Sequence, residues 1–372
     1  MNPPATVKAT APHNNQANST IGQAERLKFL VAIAATIVAG ILQHVGAPSV
    51  LIFVLTALDL AVLASLVGDG TEQVGSRLGP GATGVLQSAL GNLPELFIGV
   101  FALRQGLVTV VQAALVGSIL GNSLLVLGLA FLIGGLRHGT QKFDAETPRN
   151  IATLTVLAVS ALVVTDLAAQ SHSPASSHVD ALSVVCAVVL LVVFAASVPF
   201  SLKGGPGGVG VDMEAETVWP VSVAVGVLLG ASVGAAFVSD WFVNALTPAT
   251  QTLHISQGFA GLVIVAIAGN AVENVVGVQL MAKNHPNYAI SVILNSSLQV
   301  ALALIPAMVL LSFVIGAPLH LTLVLSPLLV GALMLAAILG AFVVYDGEST
   351  WLEGVALIGL YSIIAAGSWW GY

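Results

Sequence analysis

The stretch ALGNLPELFIG, residues 89–99, sets a glutamate, Glu95, in an otherwise apolar run beside Gly, Asn and Pro. It returns as GNAVENVVG at 269–277, where Gly269, Asn270, Glu273 and Gly277 match Gly91, Asn92, Glu95 and Gly99 at one offset of 178. The same offset carries Ser118 onto Ser296. Each glutamate therefore lies 23 residues before a serine in a polar knot, GSILGN at 117–122 and NSSLQ at 295–299. The two carboxylates, the amides of Asn92, Asn270, Asn122 and Gln299, and the hydroxyls of Ser118 and Ser296 are all oxygen donors. Such a set suits hard cations, and about six to eight flexible oxygens suit Ca²⁺ better than Mg²⁺. Two carboxylates balance one divalent charge. Without a cation, two close carboxylates in a low dielectric do not both stay ionised easily, so protons compete for the same oxygens.

The elements that must position these residues are set by composition. Of 372 residues, 57% are hydrophobic and 7% charged, and the mean hydropathy is +0.99. A soluble chain of this length needs far more charge to cover its surface, so the sequence reads as an all-α polytopic membrane protein. Its direct partner is the lipid bilayer; no nucleic-acid partner and no cofactor are expected. The single Cys186 excludes a disulfide framework and a thiolate metal site. The eight His residues fall at segment ends or in loops, which argues against a soft-metal site in the bilayer core.

Counting apolar runs of about eighteen residues predicts eleven transmembrane helices, near 28–45, 48–68, 83–104, 107–134, 150–169, 179–202, 217–238, 257–282, 287–314, 318–344 and 352–370. Residues 1–27 read as a flexible cytoplasmic tail and 203–216 as a cytoplasmic linker, flanked by one five-helix repeat over 48–202 and a second over 217–370. With the N-terminus cytoplasmic, Lys8, Arg26, Lys28, Arg77, Arg137, Lys142, Arg149, Lys203 and Lys283 fall inside and only Arg104 outside. That asymmetry follows the positive-inside rule and places the C-terminus outside, in the cell membrane. Glu95 falls on the third helix and Glu273 on the eighth. Five steps reverse the direction, so the repeats are inverted, as in secondary transporters with a site at mid-membrane.

On a helix Gly91, Glu95 and Gly99 share one face with Asn92 beside it, and Gly269, Glu273, Gly277 and Asn270 do the same. The glycines read as close helix packing. The glutamates read as functional, since an intramembrane carboxylate is costly without work or a partner. No Lys or Arg falls at mid-membrane to pair with them. Pro94 leaves the carbonyl of Leu90 without its helical donor. Val272 stands at the corresponding place in the second repeat, so this device is expected once. A site that holds either protons or a divalent cation, in a fold opening to alternate sides, is what an antiporter requires.

At these residues the sequence resembles the Ca²⁺/H⁺ antiporter family of the Ca²⁺/cation antiporter superfamily. The resemblance is carried by TEQVGSRLGPGATGVLQSALGNLPELFIGVFAL, by LVGSILGNSLLVLG and by GNAVENVVGVQLMAKNHPNYAISVILNSSLQVALALIPAMVLLS, within residues 48–370. It implies a first helix followed by two inverted five-helix repeats, with Ca²⁺ as the transported ion and H⁺ as its counter-ion. It implies Glu95 and Glu273 as ligands, with Ser118, Asn122, Ser296 and Gln299 lining the site or its access paths. Two positions depart from the family pattern. Asn274 stands where the family often has His, and Asn295 where the second knot usually begins with Gly. The acidic residues Asp212, Glu214 and Glu216 are too few to imply a regulatory Ca²⁺ site in their loop.

Asp59, mid-helix in LTALDLAVLAS, has no echo in the second repeat. It has two readings: a proton-path residue, or a partner for a polar group on a neighbouring helix. Gln87, Gln112 and Gln279 read as interhelical hydrogen-bonding residues. Arg104 reads as a snorkelling interface residue, Trp351, Trp369, Trp370 and Tyr372 as interfacial anchors, and Glu72 as a solvated loop charge. A Na⁺/Ca²⁺-type or other hard-cation exchanger is the main alternative. An intramembrane metal hydrolase needs a motif such as His-Glu-x-x-His, which is absent. A channel is disfavoured by the in-chain repeat. The chain is not expected to be an enzyme.

Overall fold

The computed structural model describes residues 22–75, 77, 90–171, 174–203 and 219–371. Most of the expected tail and linker, and Gln87, lie outside them. The described residues are almost entirely helical. They comprise α1 (Gln23–His44), α2 (Ser49–Gly75), α3 (Leu93–Arg104), α4 (Val108–His138), α5 (Glu146–Gln170), α6 (Val179–Lys203), α7 (Val221–Leu253), α8 (Gln257–Gly269), α9 (Ala271–Ala282), α10 (Pro286–Val314), α11 (Pro327–Val343) and α12 (Trp351–Ser368). Eight helices among the described residues are long and apolar enough to cross a membrane, and the bent pair α8–α9 makes a ninth. The apolar α11 is one residue short of the length that a span requires here.

Local chemistry moved several boundaries. α1 begins five residues ahead of the expected Lys28, because Glu25 accepts a hydrogen bond from the backbone N–H of Gly22 at 2.7 Å and caps the first turn. α11 starts at Pro327 rather than near 318, with the Ser326 hydroxyl as its cap. The segment ahead of it, Leu321–Leu325, is non-helical and held by side chains of three helices and a neighbouring serine. The N–H groups of Leu321, Leu323 and Leu325 donate to Ser312, Ser183 and Asp166 at 3.0, 3.1 and 3.0 Å. Gln112 donates to the carbonyls of Thr322 and Val324 at 3.0 and 2.8 Å. This strap is how non-helical backbone stays satisfied inside the protein. Gln112 thus bonds a loop backbone, where the sequence suggested a helix-to-helix contact.

A second surprise is a two-stranded antiparallel ribbon, β1 (Gln141–Lys142) with β2 (Glu348–Ser349), paired Gln141 to Ser349 and Lys142 to Glu348. It joins the turn after α4 to the turn before α12. Around it, Gln141 donates to Asn284, the backbone N–H of Asp144 to Asn287, and Arg149 to the carbonyl of Tyr345. The opposite end of the bundle gathers the strap, the His320–Asp180 pair and the bond from Ser256 to the carbonyl of Ser368.

Two of the motif glycines pack closely as the sequence suggested, Gly99 against Met308 and Gly277 against Ile293, and glycines that it did not single out do the same. α2 lies along α7, with Gly70 against Leu228, Gly234 against Leu63, and Phe53 stacked on Phe242 at 4.8 Å. α4 crosses α8 so closely that a Cβ on Gly117 would collide with the Leu262 carbonyl, and one on Gly261 would lie 2.5 Å from the Val110 carbonyl. Only glycine permits that approach.

Candidate cation site

The two Gly-Asn motifs break their helices in the same way. Asn92 precedes α3 with φ −92° and ψ 15°, and Asn270 separates α8 from α9 with φ −97° and ψ 21°. Both values lie in the sparsely populated bridge region, where turn and active-site residues sit. α8 and α9 bend by 61° at this break. The sequence had assigned loosening to Pro94 and so to the first repeat alone. Instead Pro94 occupies the first turn of α3, where a missing N–H costs nothing, and the break without proline at Asn270 matches it. Glu95 and Glu273 are each the third residue of the helix that follows. Each backbone position is therefore at a helix N-terminus, whose unpaired N–H groups favour negative charge.

Helix irregularity recurs one helix on. π-turns occupy Gly121–Val126, which takes in the last two residues of the first polar knot, and Val300–Leu304, directly after the second; a third spans Ala260–Val265 before the second Gly-Asn break. Single π-turns inside α-helices are frequent at functional sites. Residue types alone did not reveal them.

Around Glu95 the side chains converge from α3, α4, α10 and the α8–α9 junction. Glu95 Oε1 accepts hydrogen bonds from Ser118 Oγ and from Asn270 Nδ2, both at 2.5 Å. Asn270 Nδ2 also lies 2.9 Å from Ser118 Oγ and donates to the carbonyl of Ala266 at 2.9 Å. Asn122 Nδ2 donates to Asn270 Oδ1 at 3.2 Å and to Ser296 Oγ at 2.8 Å, and Ser296 Oγ reaches Asn270 Oδ1 at 3.4 Å. Beside this network the hydroxyls of Ser123 and Ser297 meet at 3.0 Å, a contact the sequence did not single out. Glu95 is 8% exposed and Asn122 1%. Asn122 Oδ1 is buried with no hydrogen-bond partner among the described residues, leaving a carbonyl oxygen available to a cation.

The structure thus brings together five of the eight expected residues: Glu95, Asn270, Ser118, Asn122 and Ser296. Asn92 is buried at the α3 break, but its side chain makes no hydrogen bond to this network among the described residues. Gln299 lies one turn beyond Ser296 and is partly buried. The Glu273 side chain is outside the description; only its backbone position is placed. One neighbour gains a new role. A Cβ on Gly269 would run into Glu95 Cγ, so a glycine of the second motif makes room for the carboxylate of the first.

A narrow cleft leads away from Glu95 and Ser118. It runs between Ile98, Gly99 and Ala102 on α3 and Val111, Ala114 and Leu115 on α4, toward the turn at Gly106. Its walls are apolar, and its polar groups sit at the Glu95 end. Ion pairs among the described residues lie elsewhere: Lys28–Asp69, Lys142–Glu348 and His320–Asp180.

An almost entirely helical protein with several apolar helices long enough to cross a membrane, and with broken helices meeting at a buried carboxylate and amides, has the build of a membrane transporter. The chain belongs to the sodium/calcium exchanger protein family, whose profile matches residues 48–203 and 223–370. It is similar to a Ca(2+)/H(+) antiporter of Synechocystis sp. (strain ATCC 27184 / PCC 6803 / Kazusa), 34% identical over 334 residues, with 84% of this chain and 89% of that one covered. It is also similar to the Ca(2+)/H(+) antiporter ChaA of Bacillus subtilis (strain 168), 32% identical over 349 residues, with 91% and 98% covered. Among solved structures it matches native YfkE with a TM-score of 0.79 at 30% identity, covering 92% of this chain and 99% of that one. The H⁺/Ca²⁺ exchanger CAX, at 17% identity and a TM-score of 0.71 with 93% and 92% covered, shares the fold.

Proposed function

We propose that the chain exchanges Ca²⁺ for H⁺ by alternating access, with both competing for the Glu95 cluster. The observation that carries the reading is the Glu95–Asn270 contact. A carboxylate from one Gly-Asn-x-x-Glu motif is held by the amide of the other, 175 residues away, at 2.5 Å. The geometry suggests how the exchange runs. In the arrangement described, Ser118 and Asn270 donate to Glu95 and supply the positive ends of dipoles that a cation would otherwise supply. An entering Ca²⁺ takes the carboxylate oxygens, and the amides and hydroxyls turn their oxygens toward it. Glu95, Asn270, Ser118, Asn122 and Ser296 then approach the oxygen count that Ca²⁺ accepts. Glu273, at the mirrored helix start, supplies the second charge, with Asn92 and Gln299 beside the path. Protons returning to the carboxylates release the cation.

The full architecture belongs to this reading: eleven spans, one helix followed by inverted repeats over 48–202 and 217–370, a cytoplasmic N-terminus and linker, and an outer C-terminus in the cell membrane. It is supported by the offset of 178, by the matching backbone at Asn92 and Asn270, and by the family profile matching the two halves separately. The names of the curated relatives point to the same ion pair. The family description favours one alternative, Na⁺ as the counter-ion at the same oxygens.

Proteoliposomes test this. An imposed pH gradient should drive Ca²⁺ uptake, and Glu95→Gln or Glu273→Gln should each abolish it while the protein still inserts and folds. Uptake driven only by Na⁺ transfers the site to the alternative. Normal flux in either glutamine variant removes that residue from the site.

A further inference from the structure

Asp59 remains outside the cluster just described. It is 1% exposed, in the middle of α2. Its Oδ2 accepts a hydrogen bond from Thr36 Oγ1 of α1 at 2.9 Å, and its Oδ1 is buried without a partner among the described residues. Ser239 of α7 is equally buried, and its hydroxyl likewise lacks a partner among the described residues. Along their helices Asp59 and Ser239 fall between the same two contacts of α2 with α7, Leu63 against Gly234 and Phe53 against Phe242, but no hydrogen bond joins them. One carboxylate and the single hydroxyl bonded to it give too few oxygens to strip a hard cation of its water. A proton needs only one.

We propose that Asp59 is a second proton-binding site, carrying one H⁺ per transport cycle in addition to those exchanged at Glu95 and Glu273; this rests on the exchange function proposed above. Among the described residues no positive charge is placed to hold an ionised Asp59. α1 carries Glu25, Arg26 and Lys28 at one end, with Lys28 committed to Asp69 at 3.0 Å, and His44 at the other, bonded to the Gly40 carbonyl. α7 carries Asp240, which accepts from Asn244. α3 brings Glu95, bonded by Ser118 and Asn270, and Arg104 at its far end. α8 has no titratable residue, and α9 carries Glu273 with Lys283 just beyond its end. A buried carboxyl with one hydroxyl neighbour and no counter-charge is stable as the neutral acid. α2 packs on α1 and α7 on one side and on α8 and α9, which flank Asn270, on another. A shift of α2 against the cluster would therefore change the surroundings of Asp59 and its hold on the proton. Three acids exchanging against one divalent cation move one net charge per cycle.

The test uses full-length protein in proteoliposomes. The number of H⁺ per Ca²⁺ is read from the pH gradient that just halts Ca²⁺ flux. Asp59→Asn should keep Ca²⁺ flux, lower the proton count by one and remove the response to membrane voltage. Thr36→Val, which keeps the acid, should shift the pH profile of flux and leave the count unchanged. Infrared spectroscopy reads the acid without transport: the protonated-carboxyl C=O absorption of wild type should lose one component in Asp59→Asn. Should wild type show no proton-driven Ca²⁺ flux, the exchange reading fails while the infrared band still decides whether Asp59 holds a proton. An unchanged proton count and voltage response in Asp59→Asn, or no acid band lost, overturns the proposal. Should Asp59→Asn not fold, Asp59→Glu must keep the count and move the pH profile; an unmoved profile in both Asp59→Glu and Thr36→Val overturns it as well.

Discussion

Gly269→Ala is the sharpest perturbation of the cluster, because it adds one methyl group and removes nothing. The new Cβ would stand 3.0 Å from Glu95 Oε1 and 3.1 Å from Cδ, and closer still to Cγ. Ordinary contact begins at 3.4 Å. The neighbours of Cγ are near the α3 backbone, so the side chain cannot simply swing its tip away. The carboxylate must move by roughly an ångström, the scale at which misplacing a reacting group costs about 10²-fold. That motion also lengthens the two 2.5 Å bonds from Ser118 and Asn270. Hydrogen bonds to a charged group contribute about 1.5–3 kcal/mol each, so weakening even one accounts for a tenfold or larger effect. Stability should not fall in parallel, since alanine is favoured over glycine by up to about 1 kcal/mol in a helix. Initial rates of Ca²⁺ uptake and thermal unfolding in detergent, measured together, separate the two. Gly230→Ala is the control, because nothing lies within 4 Å of that position. Gly269→Ala with flux within twofold of wild type would refute the geometry of the cluster.

Two further predictions concern the frame. Gly117→Ala sets a Cβ against backbone, the Leu262 carbonyl, where no side-chain rotation relieves it. It should lower thermal stability strongly, by about 3 kcal/mol or more on the scale of overpacked cores, seen as a large drop in unfolding temperature in detergent. Asp166→Leu leaves the N–H of Leu325 without its acceptor, which should cost about 1–3 kcal/mol and expose the strap to limited proteolysis, while Asp166→Asn retains an acceptor and should cost less.

Much of this protein is legible without coordinates. The apolar runs announce helices because unsatisfied backbone cannot face lipid. Glu95 and Glu273 stand out because a carboxylate there is costly, and the offset of 178 pairs them. Residue types at Ser118, Asn122, Asn270 and Ser296 already marked oxygen donors. What only the tertiary structure decided is which atoms meet. The helix break at Asn270 carries no proline, so its φ and ψ follow from packing and from the bond of its amide to the Ala266 carbonyl. The π-turns, the strap and the ribbon likewise depend on partners that are distant in sequence, and the Thr36 hydroxyl that meets Asp59 comes from another helix. Periodicity reports what one helix prefers toward lipid. It does not report which neighbour fills the space beside Gly269, and that space is where Glu95 sits.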